Sequence, residues 1–565
     1  MKHLSIYLSC ALAAGLWSCS SDDQPKNPGT ENPENSFYAT LSFDFATRST
    51  TIDPGDNPSQ SSSGFEYGQD SENKVSSVII VLASKDKTTG AYTYITDSGI
   101  VNADQVANGT DGAAGVPNPL YRVKFDTNAL LDYAGQNVEV FAYCNPTETL
   151  KVALKNWNVD LIYTILEAED EIYATNTFLM TNALEATTTL PSESQMQTIY
   201  NKPTNPANLG TVKVQRVSSR FDFAQTQITD MKTLNTYPIY EYLTDPNQQT
   251  LQGTVTLDGM ALFNEAKTFY LLPRVANSNN AADGPDMNTV TLLGKETTNN
   301  WVISPTKTAS DWCYGLQSEP NPSSFKYTLF SSLQTDDNPQ NWDEGNKTDY
   351  KIWRYTTENT IPSISGQQHG VSTGVLFRGY ITGEEGTKLA AAIGKLATIY
   401  AHDGIMYGSL EDLKEYVSKL PESSVGIAFQ ETFGLDLANE MEPADYAQPE
   451  KVLEYLNKND NVQDLTATND YFNVYQPKPE DGKYYVYYYY FNRHNDNGNN
   501  TVMGPMEFAT VRNNVYKLKV TNIYQWGNPG DKPTDPENPD EEPKVYFRVQ
   551  VEVLPWVVRI NNIEF

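Results

Sequence analysis

Two residues near the start of this 565-residue chain sit in settings suited to covalent chemistry. Cys19 follows Lys2-His3 and an apolar run, Leu4 to Leu16, that is too short to span a bilayer. That layout suits an export signal, 1–18, whose following cysteine becomes the acylated first residue of the mature protein. Arg48, the first arginine in the chain, comes just after the alternating stretch Phe37 to Phe45. It opens a Ser/Gly/Asp/Pro-rich segment from Ser49 to Lys74, so the Arg48–Ser49 bond suits a trypsin-like protease. Catalytic groups are otherwise sparse. His3 falls in the signal, and His369, His402 and His494 are scattered through segments that read as loops or strand edges. No HExxH, GxSxG, paired CxxC or GxxxxGK[ST] occurs. Asn495 to Asn500 lacks the spacing and terminal glutamate of a calcium loop and reads as a hairpin tip. The expectation is a protein with no catalytic residue, no metal and no cofactor, and therefore not an enzyme.

The elements that must position Cys19 and Arg48 are β-strands. Phe37, Ala39, Leu41, Phe43 and Phe45 share one face of the stretch before Arg48, and a Pro/Asn/Glu-rich tether joins that stretch to Cys19. Many short alternating runs separated by Asn/Asp/Gly/Pro clusters follow, the pattern of sandwich-type β structure. Strands are expected at Val75–Ala83, Tyr121–Phe125, Val138–Cys144, Thr211–Phe223, Thr254–Leu257, Thr268–Leu272, Val290–Leu293 and Val375–Ile381. Helices are expected over Lys388–Leu396 and from Ser409 onward, with Asp412 as the capping-box partner, as insertions on a β scaffold. A mixed helical region is expected between Leu150 and Leu166. Cys144 reads as a buried free thiol.

Boundaries divide the chain into a signal (1–18), a tether and cleavable strand (19–48), an N-terminal domain (49–210) and a C-terminal domain (211–526). A Pro/Asp/Glu linker (527–544) and a terminal segment (545–565) complete it. The self-repelling charges and prolines of the linker predict an extended chain free of any core. In the last segment Val545, Phe547, Val549, Val551 and Val553 share one face, Pro555 interrupts, and Trp556, Val558 and Ile560 continue. Such a strand either folds back to close its own domain or serves another molecule. The tyrosine run Tyr484 to Tyr490 has two readings, a sugar-stacking platform or packed strand, and the second is preferred. A formal net charge of −31, with 71 acidic and 40 basic residues, argues against nucleic acid as a partner. It suits a surface protein that must stay soluble at high local concentration.

Leu16-Trp17-Ser18-Cys19 resembles a bacterial lipobox, with Trp17 an unusual occupant, and Ser20-Ser21-Asp22-Asp23 resembles the acidic export signal of Bacteroidetes surface lipoproteins. Further motifs lie along the chain: Val214 to Arg220 (VQRVSSR), Ile399-Tyr400 with Gly404 to Gly408, Asn492 to Asp496, Gly504 to Phe508, Val511 to Leu518, and Val551 to Trp556. Together they resemble the Bacteroidales fimbrillins, in particular the Mfa-type stalk subunit of the type V pilus. The resemblance covers essentially the whole chain in order and is weakest over 50–120 and 225–370. It implies a mainly β fold of two transthyretin-like β-sandwich domains with a few inserted helices. It also implies lipidation at Cys19, outer-membrane attachment, and removal of the first strand by an arginine-specific protease cutting at Arg48. The matured subunit would polymerise by donor-strand exchange with identical subunits, alongside accessory tip and anchor proteins, into a cell-surface fimbria supporting adhesion and biofilm formation. In that scheme Phe37, Ala39, Leu41, Phe43 and Phe45 are displaced, and the segment from Val545 to Phe565 is the donor. The competing readings are a surface glycan-binding β-sandwich lipoprotein and a tip or anchor subunit.

Overall fold

The computed structural model describes residues 35–45 and 66–558, apart from the internal stretches 103–105, 108–119, 155–156, 165–171, 174–176, 243–248, 277–278, 281–283, 295–300, 314, 317–324, 335–349, 496, 500, 531–533 and 542–546. The chain is mainly β with few helices. It opens with β1 (Ser36–Phe45), a short β2 (Glu66–Gly68) and one helical turn, α1 (Asp70–Asn73). Next come β3 (Ser77–Lys85), β4 (Tyr92–Asp97), β5 (Leu120–Asp126), β6 (Asn137–Cys144), α2 (Glu148–Leu154), β7 (Met180–Asn182), α3 (Glu193–Ile199) and β8 (Ala207–Arg216). Their strands are bonded in the order β4-β3-β6-β7-β8-β1-β5. The Val/Ile/Leu run of β3 and the alternation of β1 and β5 all feed one apolar core.

Val217, fully buried, lies between β8 and β9 (Ser218–Phe223), where the chain moves from the first sheet to the next. The second body comprises β9, β10 (Thr236–Tyr242), β11 (Gln249–Phe263), β12 (Lys351–Thr357), β13 (Gly374–Gly383), β14 (Tyr485–Phe491), β15 (Asn514–Ile523) and β16 (Phe547–Val558). One sheet runs β2-β16-β15-β9-β12 and a second β10-β11-β13-β14. They face each other across a shared core, where the Phe223 and Phe377 rings lie 5.8 Å apart and the Tyr237 hydroxyl donates across the sandwich to the Val520 carbonyl at 3.0 Å.

Between β13 and β14 the chain inserts α4 (Lys388–Gly394), whose Leu389 and Ala392 join the sandwich core, and then a helical layer with its own core: α5 (Leu410–Lys419), α6 (Ser424–Phe433), α7 (Leu437–Glu440), α8 (Pro443–Tyr446) and α9 (Pro449–Lys458). The α4 and α5 starts match their expectations. The Ser409 hydroxyl accepts from Asp412 N at 3.1 Å, but the Asp412 carboxylate returns its bond to Gly408 N at 3.0 Å, one residue before the cap. The expected helical region at 150–166 resolves into α2 and a short strand, Ile162–Thr164. Cys144 is a buried free thiol, which burial pushes well up, and Cys313 is buried as well. Among the described residues no helix is long and apolar enough to cross a membrane, and no cluster of His, Cys, Asp and Glu is arranged to hold a metal ion.

The linker departs from expectation: where described, 527–541 is a docked strap. Asn528 exchanges backbone bonds with Tyr487 at 2.8 and 2.9 Å, and a Cβ on Gly527 would lie 2.8 Å from the Tyr487 carbonyl. His369 N donates to Asn538 O at 3.0 Å, Gly370 N to Pro536 O at 2.8 Å, and Ser372 Oγ to the Asp540 carboxylate. Arg493 forks onto Glu541 at 3.1 Å while also bonding Glu507. Prolines lack donors but keep their carbonyls, and one arginine shared by two carboxylates offsets the repulsion that composition alone emphasises. Burial drives the His369 imidazole down to about 4, so it is neutral at pH 7, stacked on Phe491 with ring centroids 4.1 Å apart.

Candidate functional site

β1 fills a slot in the N-terminal sheet. It runs parallel to β8, with Phe43 opposite Val212 and Phe45 opposite Val214, and antiparallel to β5, with Phe37 opposite Phe125 and Leu41 opposite Tyr121. A register shift between Thr40 and Ser42 accommodates the β8 side. Phe37, Ala39 and Leu41 are 0% exposed and Phe43 is 1% exposed. The Phe43 ring lies 4.8 Å from Tyr121, and Phe37 packs at 5.6 Å from Tyr200 and 6.2 Å from Phe125. The entrance is fixed by polar bonds: Ser36 N donates to Asn201 Oδ1 at 2.9 Å and Ser36 Oγ to Asp126 Oδ1 at 2.7 Å. The Phe45 side chain, Cys19, Arg48 and Ser49 lie outside the described residues.

β1 is the element joining β8 to β5 in this sheet, so its loss leaves two facing strand edges unpaired over an apolar floor. Burying each large apolar side chain contributes about 1.5–3 kcal/mol. Phe43→Ala should therefore destabilise the uncleaved protein by about 3–5 kcal/mol in urea unfolding. A loss below about 1 kcal/mol would mean that the Phe43 ring does not hold this strand in its slot.

The C-terminal segment is docked on its own body. In β16, Phe547 lies opposite Ile523, Val549 opposite Val520, Val551 opposite Leu518 and Val553 opposite Tyr516 on β15. Val549 is partly buried against the sandwich core. The expected interruption at Pro555 takes a particular form. β16 is one continuous strand, but its pairing with β15 ends at Pro555 opposite Asn514. Beyond it, Trp556, Val557 and Val558 pair in parallel with Glu66, Tyr67 and Gly68 of β2. Proline cannot donate to a ladder, so the change of partner falls where one bond is lost regardless. Val545 and Ile560 lie outside the described residues.

Charged residues singled out in the sequence motifs meet where the two bodies join. Arg220, 0% exposed, donates to Glu72 at 3.0 and 3.2 Å and forks onto Asp222 at 2.9 Å. Arg512 forks onto Glu358 at 2.6 and 2.7 Å and reaches the carbonyls of Tyr270 and Leu271. Arg216 bonds Asn513 Oδ1 at 3.2 Å, the Glu72 carbonyl at 3.3 Å and Asn73. Burial lowers Arg216 to about 10, with Glu72 opposing, so it stays cationic at pH 7. The arginines were visible in sequence. Glu72 and Glu358 were not singled out, because no local spacing pairs them with Arg220 and Arg512 across such separations, whereas Asp222 lies two residues from Arg220 on the same strand.

The tyrosine run packs. Tyr484, Tyr487 and Tyr488 are buried, and the Tyr484 and Tyr488 hydroxyls donate to the carbonyls of Ala397 at 2.6 Å and Gln525 at 3.0 Å.

Residues 482–562, from before β14 to beyond β16, match the family described as major fimbrial subunit protein type IV, fimbrillin, C-terminal. Over these residues the chain is similar to fimbrillins. Solved structures similar to the chain include the FimA fimbrilin of Porphyromonas gingivalis W83, 15% identical over 93% of this chain and 99% of that one, with a TM-score of 0.33. The tip fimbrial protein Mfa3 of Porphyromonas gingivalis, truncated at its C-terminus, is 10% identical over 92% of this chain and 100% of that one, at 0.31. A candidate cell adhesion protein of Parabacteroides distasonis is 10% identical over 94% of this chain and 99% of that one, at 0.37. No curated protein matches the sequence. The fimbrillin match spans the tyrosine strand, Arg493, Arg512 and most of the terminal segment, so the core, strap, joint and docked tail all draw on it.

Proposed function

We propose that this chain is the stalk subunit of a pilus, exported as a lipoprotein on acylated Cys19, matured by cleavage after Arg48 and polymerised by donor-strand exchange between identical subunits. Accessory tip and anchor proteins, an arginine-specific protease and the outer-membrane lipid are its other partners, and the mature form is a cell-surface fimbria supporting adhesion and biofilm formation. The observation that carries the reading is β1. A strand lying wholly before Arg48 contributes fully buried side chains to the core and is bonded on both edges.

The direction of exchange follows from edge pairing. Among the described strands, β16 at home has a long ladder with β15 and meets β2 at Trp556–Val558. In the slot left by β1 a donor would gain a ladder on each side, together with apolar burial of the kind Phe37 to Phe43 now provide. The buried tyrosines disfavour the glycan-binding reading, and a protein of that class would have to bind elsewhere.

Arg48→Ala should yield a lipid-anchored monomer that forms no filaments by electron microscopy, and mass spectrometry of wild-type pili should find Ser49 as the first residue. Filaments from Arg48→Ala, or mature chains starting elsewhere, would discard this maturation site. Cys19→Ala should keep the protein off the outer membrane, and surface display of that variant would discard the lipid anchor.

A further inference from the structure

β2 is an odd element for its sheet. It pairs over Glu66–Gly68 only, it lies in sequence between the Arg48 site and the N-terminal body, and its partner is the end of β16 beyond Pro555. So short an edge strand has little stability of its own and needs an anchor. The anchor is the turn immediately after it. Asn73 Nδ2 donates to the Gly68 carbonyl at 2.8 Å, and Gln69 N donates to the Glu72 carboxylate at 2.6 Å. Glu72, 1% exposed, in turn accepts from Arg220 at 3.0 Å and from the Tyr355 hydroxyl at 2.6 Å, while Asn73 accepts from Arg216. Removing a partner from such a buried charge cluster is strongly unfavourable, so the turn stays in place whether or not the chain is cut at Arg48.

From this geometry we infer that Glu66–Gly68 is a clasp that holds the distal end of the C-terminal strand on its own subunit and must let go before that strand is donated. The inference rests on the strand-exchange reading above and adds its regulation. Trp556–Val558 is the part of β16 that has left β15 behind, so among the described strands β2 is its one bonded neighbour. Strand invasion starts from a free end, and a clasp at that end slows the first step while leaving the β15 ladder for later. Cleavage would vacate the slot, and the clasp would set how quickly a matured subunit fills the slot of the next one.

The test is the double variant Glu66→Pro, Tyr67→Pro. It removes two backbone donors and fixes both backbones away from strand pairing, yet touches none of the anchoring side chains. Hydrogen exchange by mass spectrometry of the uncleaved precursor reads the clasp without any polymerisation. The peptide containing Trp556–Val558 should exchange on the order of fivefold faster in the variant, while peptides from β15 and α1 keep their protection. After cleavage with a trypsin-like protease, the half-time of filament growth should shorten by a similar factor. Unchanged exchange at Trp556–Val558 would overturn the clasp itself. Faster exchange with an unchanged or longer half-time would overturn its control of assembly. If neither the cleaved wild type nor the variant forms filaments, strand exchange falls, and the regulatory role with it; the exchange data then still report whether the contact exists. Glu72→Gln serves as a comparison: general loosening of the joint would expose α1 and Trp556–Val558 together, a pattern the double variant should not share.

Discussion

Removing residues 545–565 should leave a subunit that folds, is cut after Arg48 and cannot extend a filament. The segment pairs with β15 near the margin of one sheet of the second body. The face that packs between the sheets is carried by Phe221, Phe223, Tyr516, Leu518 and Val520, all buried on β9 and β15. The deletion strips one ladder from β15 and, among the described side chains, the partly buried Val549 from the core margin. A folded, somewhat less stable subunit is the expected product, measured by circular dichroism and urea unfolding. Its slot, once β1 is removed, should still accept a wild-type strand. Added to growing wild-type filaments, the truncated subunit should therefore cap them and shorten the length distribution seen by electron microscopy. Long filaments made of truncated subunits alone would end the donor assignment. A complementary measurement pairs Val551→Cys with a cysteine in the β1 slot of a second subunit. Crosslinks confined to single chains within assembled pili would indicate self-complementation instead.

The second large effect should come from the joint between the bodies. Glu358→Gln removes the charge that Arg512 meets in a bidentate pair, both groups being 0% exposed. The remaining guanidinium keeps its bonds to the Tyr270 and Leu271 carbonyls but has lost its counter-charge in a site closed to water. Breaking a buried pair from one side costs about 3–5 kcal/mol. Urea unfolding of Glu358→Gln should show a loss in that range. Replacing both partners by apolar residues of similar volume should cost much less, because no orphan charge is left. Equal losses in the single and double variants would mean that the pair fills space and is not needed to balance charge. A filament transmits load through every subunit, so a weakened joint should also lower the force at which single pili break.

Much of this protein was legible without coordinates because its signals are local. Alternation assigned Phe37, Ala39, Leu41 and Phe43 to one face, and all are buried. The β-branched runs gave β3 and β13, and Ser409 with Asp412 marked the start of α5. Mainly β structure followed from the same periodicities, and the absence of catalytic motifs needed only residue types and spacing. Two kinds of feature needed the tertiary structure. Charge pairing across distant segments was one: Glu72 with Arg220, Glu358 with Arg512 and Glu541 with Arg493 lie far apart in sequence, and no helical or strand period links them. The other was the fate of segments whose composition argues for solvent. Residues 527–544 read as a repelling linker, and only the presence of Arg493, His369 and the Tyr487 backbone as partners turned their described part into a docked strap. Likewise Glu66–Gly68 carries no strand signal of its own, and it becomes a strand because the end of β16 offers it an edge and Glu72 pins the turn beside it. Local periodicity fixes which face of a segment is apolar. Which edge it meets, and whether a charge finds its counter-charge, depends on contacts that loop closure makes only once the whole chain has folded.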